Sequence, residues 1–349
     1  MTETKRLEWV DQLKGIVMVF VVLGHMTYDK QLPYVVFCYA FHMPLFFMVS
    51  GLTARIHRNK HSLDQERFRN FAWLRFKQLL IPYLLLNIVF IPVYWLNHHV
   101  LSGGSFSFKE LIIGVLYSNQ DRFIVPTAAT WFLPTLFLSL MLFFLIEKFA
   151  KGDCKTILIM GIFCGTISFF DSLTGQMSKP WDLNAVPLAA CMICIGYVLL
   201  DNIDKITEGI RNFCPNIVLR WFLAIGCIIV GGAIALINGK CSMPGNIYHS
   251  FVYFILAMVL ISAGIIFIAV KMKPLWIFKF IGQNTIFYMA AQCPLKDLIA
   301  NIMGPGVVEN HPILLGIAVI LILIPCSMII NIALPFLVGK KYKFRSKKV

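Results

Sequence analysis

Apolar stretches of near-constant length, broken by short polar segments, organise this sequence. Ten of them run near residues 13–28, 34–56, 79–96, 130–149, 156–173, 183–200, 219–238, 249–270, 280–299 and 313–338. A helix that crosses a bilayer needs about 20 mainly apolar residues. The pattern therefore predicts an all-α fold: a polytopic membrane helix bundle with about ten transmembrane helices. Pro82, Pro92 and Pro325 lie inside the apolar stretches, where they kink helices without ending them. No internal repeat or low-complexity linker is visible, and no soluble domain interrupts the spans. Residues 1–349 read as a single transmembrane domain with a basic tail over 339–349. No A-x-A cleavage pattern follows the first apolar segment closely, so it reads as a retained helix.

Composition agrees and narrows the class. Hydrophobic residues make up 58% and charged residues 14%, against roughly 25% charge in soluble domains. Mean hydropathy is +0.77. These values exclude a secreted domain, a cytosolic enzyme and a disordered tail. The net charge is +14, from 31 Lys and Arg against 17 Asp and Glu. With both termini cytoplasmic, 25 of the 31 basic residues fall on the inner side; Lys30, Lys109, Arg122, Lys179, Lys240 and Lys296 stay outside. The positive-inside rule accounts for this split, so the basic balance requires no nucleic acid partner, only the lipid bilayer. The tail is read as a topology signal, with contact to anionic lipid as the alternative. The ten cysteines show neither metal nor disulfide-framework spacing. Cys38, Cys164, Cys191, Cys194, Cys227 and Cys326 sit in apolar runs, as small core residues do.

Ionisable residues inside a span are costly and point to function. The first span carries Asp11, Lys14 and His25. Eleven helical steps bring Lys14 and His25 to within about 20° of one face, roughly 16 Å apart along the axis. Asp11 falls within about 40° of the same line. His25 is expected about 12 Å below the outer boundary, and His42, descending in the second helix, at about the same depth. Two histidines at one depth on consecutive helices either face one cavity or hydrogen-bond as packing elements. Neutral histidine is a good general base near pH 7. A cation three turns below it suits an anionic group held at the cytoplasmic face. The geometry suits a long substrate with a charged head inside and a reactive end near mid-membrane, a shape that acyl-coenzyme A has. Two histidines without a third ligand or a neighbouring carboxylate make a poor metal site, so no metal is expected.

The chain resembles the integral-membrane acyltransferase family 3, especially its fucose 4-O-acetylase-like branch. The resemblance rests on Arg6 and the run from Asp11 to Ile16, then Val21 to His25, Phe41 to Phe47, and Ser50-Gly51. It continues at Arg75-Phe76-Lys77 with Leu80 to Tyr83, at Trp131-Phe132-Leu133, and at Gly282 to Tyr288. It implies an O-acyltransferase, by family habit an O-acetyltransferase, multi-pass in the cell inner or plasma membrane. The implied donor is cytoplasmic acetyl-CoA or another acyl-CoA; the implied acceptor is a hydroxyl of a carbohydrate or glycolipid on an envelope or exported glycan. His25 matches the family's proposed catalytic residue. Lys14 stands where some branches have arginine, Gln78 where a second basic residue often follows Arg75, and Gln292 where a histidine is frequent.

The resulting assignment gives His25 the role of base, His42 that of orienting it or steadying an oxyanion, and Asp11 that of positioning Lys14 or the N-terminal segment. Lys14, Arg75 and Lys77 are the candidate coenzyme A contacts. Arg75 and Lys77 also read as membrane-interface anchors. Trp131 reads as an interfacial residue or a wall of the site. Asp171, Trp181 and Asp182 combine aromatic and carboxylate groups, as sugar sites do and as ordinary loops do. His98 and His99 read as solvated, and 111–116 as a short surface helix. Two rival readings are a multi-pass transporter or flippase for a small or lipid-linked substrate, and a structural membrane protein with histidines as packing elements. The lack of an internal repeat counts against the transporter.

Overall fold

The computed structural model describes residues 3–340 apart from 30, 64, 120–122, 124 and 175–178. Lys30, Arg122 and the tail cations Lys341, Lys343, Arg345, Lys347 and Lys348 lie outside the described residues. The described chain is helical, with one isolated bridge between Ser242 and Ile247. In chain order the helices are α1 (Glu3–His25), α2 (Pro33–Arg58), α3 (Phe68–Leu101), α4 (Phe108–Tyr117), α5 (Ala128–Phe149), α6 (Cys154–Leu173) and α7 (Val186–Phe213). There follow α8 (Ile217–Asn238), α9 (Phe251–Lys271), α10 (Trp276–Gly282), α11 (Thr285–Met303), α12 (Gly306–Asn310) and α13 (Pro312–Ala333). The expected surface helix appears as α4, with Leu111 and Gly114 buried.

Among the described residues, eight helices are long and apolar enough to cross a membrane. They are α2, α3, α5, α6, α7, α8, α9 and α13. Their outward faces carry large apolar side chains such as Phe163, Phe170, Ile229, Ile237, Ile329 and Ile332, more than half exposed. Such a surface is matched to lipid rather than water. The two remaining expected spans lie in α1 and in α10–α11. Neither reaches that apolar composition, because α1 carries Glu8, Asp11 and Lys14 and α11 carries Gln292, Lys296, Asp297 and Asn301. Their placement explains the polarity. Helix α1 packs against α2, α9, α10, α11 and α13, and α11 against α1, α3 and α13. Helix contacts and the cavities between helices surround their polar residues.

Two glycine pairs let backbones touch. A Cβ on Gly15 would lie 1.9 Å from the Phe278 carbonyl oxygen, and one on Gly282 would lie 1.9 Å from that of Asp11. Helices α1 and α10 are therefore in backbone contact. The pair Gly51 and Gly196 does the same for α2 and α7, facing the carbonyls of Ile193 and Met48 at 2.0 and 1.9 Å. Small residues at such crossings are how membrane helices gain close van der Waals packing. The basic end of α2 is then pinned. Arg58 makes a two-pronged pair with buried Glu147 of α5, both bonds 2.8 Å, and reaches Glu66 at 2.9 Å. Arg55 donates to the Tyr197 hydroxyl at 2.8 Å and to Asp201 at 2.7 Å, both on α7. Lys148 donates to the Leu63 carbonyl. Helix α2, which carries His42, is thus fixed at one end to α5 and α7.

Candidate functional site

The face shared by Lys14 and His25 opens into two cavities at opposite ends of the bundle. The first, about 660 Å³, is lined by Val21 and His25 of α1, Tyr39 and His42 of α2, and Trp131. Met289, Cys293, Lys296 and Asp297 of α11 and the loop residues 240–244 complete it. The second, about 1080 Å³, is lined by Asp11 and Lys14, by Ser50, by Phe132 and Leu133, by Gly282 to Ile286, and by Asn331 and Lys340. Met289 lines both. The Trp131-Phe132-Leu133 segment straddles the divide, its tryptophan on the histidine side and the next two residues on the lysine side. Phe132 is held there by Phe47, ring centroids 4.7 Å apart.

His25 and His42 do meet across one cavity, with ring centroids 6.3 Å apart. That separation is too long for a direct ring-to-ring hydrogen bond. Both rings use the same device. His25 Nδ1 lies 2.8 Å from the Val21 carbonyl and His42 Nδ1 lies 2.5 Å from the Cys38 carbonyl, each one helical turn back. A carbonyl only accepts, so the neutral rings carry the proton on Nδ1 and present the lone pair on Nε2. Tyr39, three residues before His42 and so on the same face, lies 5.8 Å from the His25 ring and 5.0 Å from the His42 ring. The Lys240 ammonium sits 4.8 Å over Tyr39. On the far wall Asp297 receives Lys296 at 3.1 Å and Tyr28 at 3.4 Å, with His98 3.9 Å away. Tyr94 stacks on His98 at 4.3 Å. This end combines aromatic faces with charged hydrogen-bonding groups.

In the second cavity Lys14 approaches Asp11 at 3.4 Å, and Gln283 donates to the other Asp11 oxygen at 3.0 Å. Lys340 donates to the side-chain oxygens of Asn284 and Asn331 at 2.7 and 2.8 Å, and Asn331 donates to Asn284 at 2.7 Å. Lys14 and Lys340 both line this end. Arg75 and Lys77 do not join them. Arg75 donates to Gln78 at 2.9 Å and lies 5.0 Å over Phe71, and Lys77 lies 5.4 Å from the Trp73 ring.

The loop carboxylates have other partners. Asp182, in a left-handed backbone conformation with Trp181, is fully buried and accepts from Asn119 at 2.5 Å. Trp181 donates its indole N–H to the Leu116 carbonyl at 2.9 Å. Asp171 receives Lys179 at 2.9 Å and Asn246 at 3.1 Å. These contacts tie the loops together. Gln292 is fully buried, and neither polar atom of its amide has a partner among the described residues. No group of three or more His, Cys, Asp or Glu fit to hold a metal ion occurs among the described residues. His98, which reads as solvated, is 44% exposed and also lines the first cavity. Tyr39 was legible only by its spacing from His42, and nothing local marks Lys240 or Lys340.

Residues 7–332 match a family model described as an acyltransferase domain. No curated protein and no solved structure matches the chain.

Proposed function

Because the chain belongs to acyltransferase family 3, whose model spans nearly its whole length, we propose that this multi-pass membrane acyltransferase is an O-acetyltransferase. It would carry an acetyl group from cytoplasmic acetyl-CoA to a hydroxyl of a carbohydrate or glycolipid. The observation that carries the reading is the histidine pair, 6.3 Å apart at a cavity that shares one wall residue, Met289, with a lysine-lined cavity. The donor's phosphates would lie against Lys14 and Lys340, with Asp11 and Gln283 holding Lys14 in place. Its acyl end would reach past Met289 towards His25. The acceptor would enter from the other end, where Trp131, Tyr39 and Tyr94 offer faces for a sugar ring and Asp297 and Lys240 offer polar contacts.

His25 Nε2 then takes the proton from the acceptor hydroxyl as its oxygen attacks the thioester carbonyl carbon. His42, across the same gap, is placed to bond the hydroxyl or the developing oxyanion. Collapse of the tetrahedral species breaks the carbon–sulfur bond, and the proton on His25 passes to the departing thiolate. An acyl-histidine route is the covalent variant of the same chemistry. His25→Gln should lower transfer at least about 100-fold, the size of a lost general base, without lowering the melting temperature. Thiol release from acetyl-CoA with a soluble sugar acceptor measures it. Binding of the donor is tested by thermal stability: a hundredfold excess over Kd stabilises by about 2.7 kcal/mol. Lys14→Ala should weaken that shift. Movement of a substrate across vesicles without thiol release would replace this reading with the transporter one.

A further inference from the structure

Away from both cavities, an apolar groove of about 250 Å³ opens on the flank of the bundle between α7, α8 and α9, with Met48 of α2 at its back. The α7 wall is Ile195, Leu199, Ile203 and Ile206, and the α9 wall runs from Met258 to Val270. Among the described residues, two charged ones line it, Arg220 at the start of α8 and Lys271 at the end of α9, and no carboxylate does. Antiparallel packing of α8 on α9 brings those two ends together. Arg220 is only 9% exposed. One of its terminal nitrogens donates to the Pro215 carbonyl at 3.3 Å, but its Nε is buried without a partner among the described residues. A guanidinium is shaped to meet a carboxylate or phosphate with paired N–H groups, and an unmet buried donor is costly. The groove thus has an anion-seeking end and an apolar remainder.

Its length fits one occupant. From Met258 to Lys271 the α9 wall rises about 20 Å, comparable with the roughly 15 Å of one leaflet's hydrocarbon. Exposed Phe222, Leu223 and Val259 carry the apolar surface outward into the lipid-facing flank. We infer that this groove binds one anionic phospholipid, its phosphate between Arg220 and Lys271 and an acyl chain along α7 and α9. Continuity with the lipid-facing surface selects a lipid over a free phosphate ion, because a free ion leaves the apolar length of the groove unfilled.

The test is native mass spectrometry of the full-length, detergent-purified protein titrated with phosphatidylglycerol or with phosphatidylcholine of the same acyl chains. Each basic residue near the headgroup contributes about fivefold to binding an anionic lipid. The native protein should therefore prefer phosphatidylglycerol by roughly 30-fold, and the Arg220→Gln/Lys271→Gln protein should bind the two lipids alike. Ala263→Phe, which fills the wall, should remove the high-affinity adduct with both charges in place. Should the double variant fail to fold, Lys271→Gln alone should cut the preference about fivefold. Equal binding of the two lipids by the native protein, a preference that survives charge removal, or displacement of the lipid by inorganic phosphate would each overturn the inference.

Discussion

The backbone contact between α1 and α10 sets the geometry of the lysine-lined cavity, and Gly282→Ala tests it. A methyl group there would meet the Asp11 carbonyl oxygen at 1.9 Å, whereas ordinary contact begins at 3.4 Å. The helices must part by the difference, 3.4 − 1.9 = 1.5 Å. Overpacking of this kind costs about 1–3 kcal/mol. A shift of that size also opens the 3.0 Å bond from Gln283 to Asp11 beyond hydrogen-bonding distance, for roughly 1–2 kcal/mol more. A total of about 2–5 kcal/mol lowers the melting temperature by roughly 3–7 °C. The assay is thermal unfolding of the purified protein with and without acetyl-CoA. The donor-induced shift should shrink as well, because Asp11, which pairs with Lys14, loses the Gln283 bond that fixes it across the helix contact. Gly226→Ala is the control: a Cβ there meets nothing within 4 Å, and alanine is the better helix former. A Gly282→Ala protein that melts within about 1 °C of native and keeps its full donor shift would refute the close-contact argument.

Other perturbations address other parts of the molecule. Lys340→Ala should weaken the acetyl-CoA thermal shift about tenfold in apparent Kd, the order of one charged hydrogen bond; an unchanged Kd would remove Lys340 from the donor site. Arg58→Met leaves buried Glu147 without its two-pronged partner and should cost about 3–5 kcal/mol. Adding Glu147→Leu should restore most of that loss in the same melting assay, and failure to do so would refute the pairing argument. Gln292→Met removes an unpartnered buried amide, which costs about 1–3 kcal/mol where it stands, so the variant should melt higher; a lower melting temperature would show that the amide is satisfied in solution.

Much of the site was legible because it lies on consecutive helices. His25 and His42 sit on either side of one short connection, so equal depth could be worked out from rise per residue alone. The polarity of α1 was legible too, but it cut both ways: it marked a candidate functional helix and also kept it below the apolar composition of its neighbours. Arg75 and Lys77 show where such reasoning stops. They lie seven and nine residues inside α3 rather than at its end, where a π-helical turn over Phe76–Leu80 follows Arg75. Lys340 meets Asn284 across 56 residues and Asn331 across 9. Lys240 meets Tyr39 in the same way, from a loop on the other side of the sequence. Such meetings follow from how the helices assemble, which no local pattern encodes. For Asp171 and Asp182 the sequence left a sugar site and an ordinary loop role both open, and the side chains are bonded to Lys179 and Asn246 and to Asn119.

Met289, the one described residue shared by the two cavities, has an electrical consequence. If both cavities fill with water, little low-dielectric material is left between them, and the voltage across the host membrane would fall over a short stretch near Met289. Moving one elementary charge through the full drop is worth about 2.3 kcal/mol per 100 mV. A reaction at this wall would separate charge along that field whenever a proton sits on His25 while a thiolate departs on the lysine side. Turnover in energised vesicles would then depend on the polarity of the imposed potential, and the thioether that divides the cavities would also be the insulation that keeps ions from leaking through the enzyme.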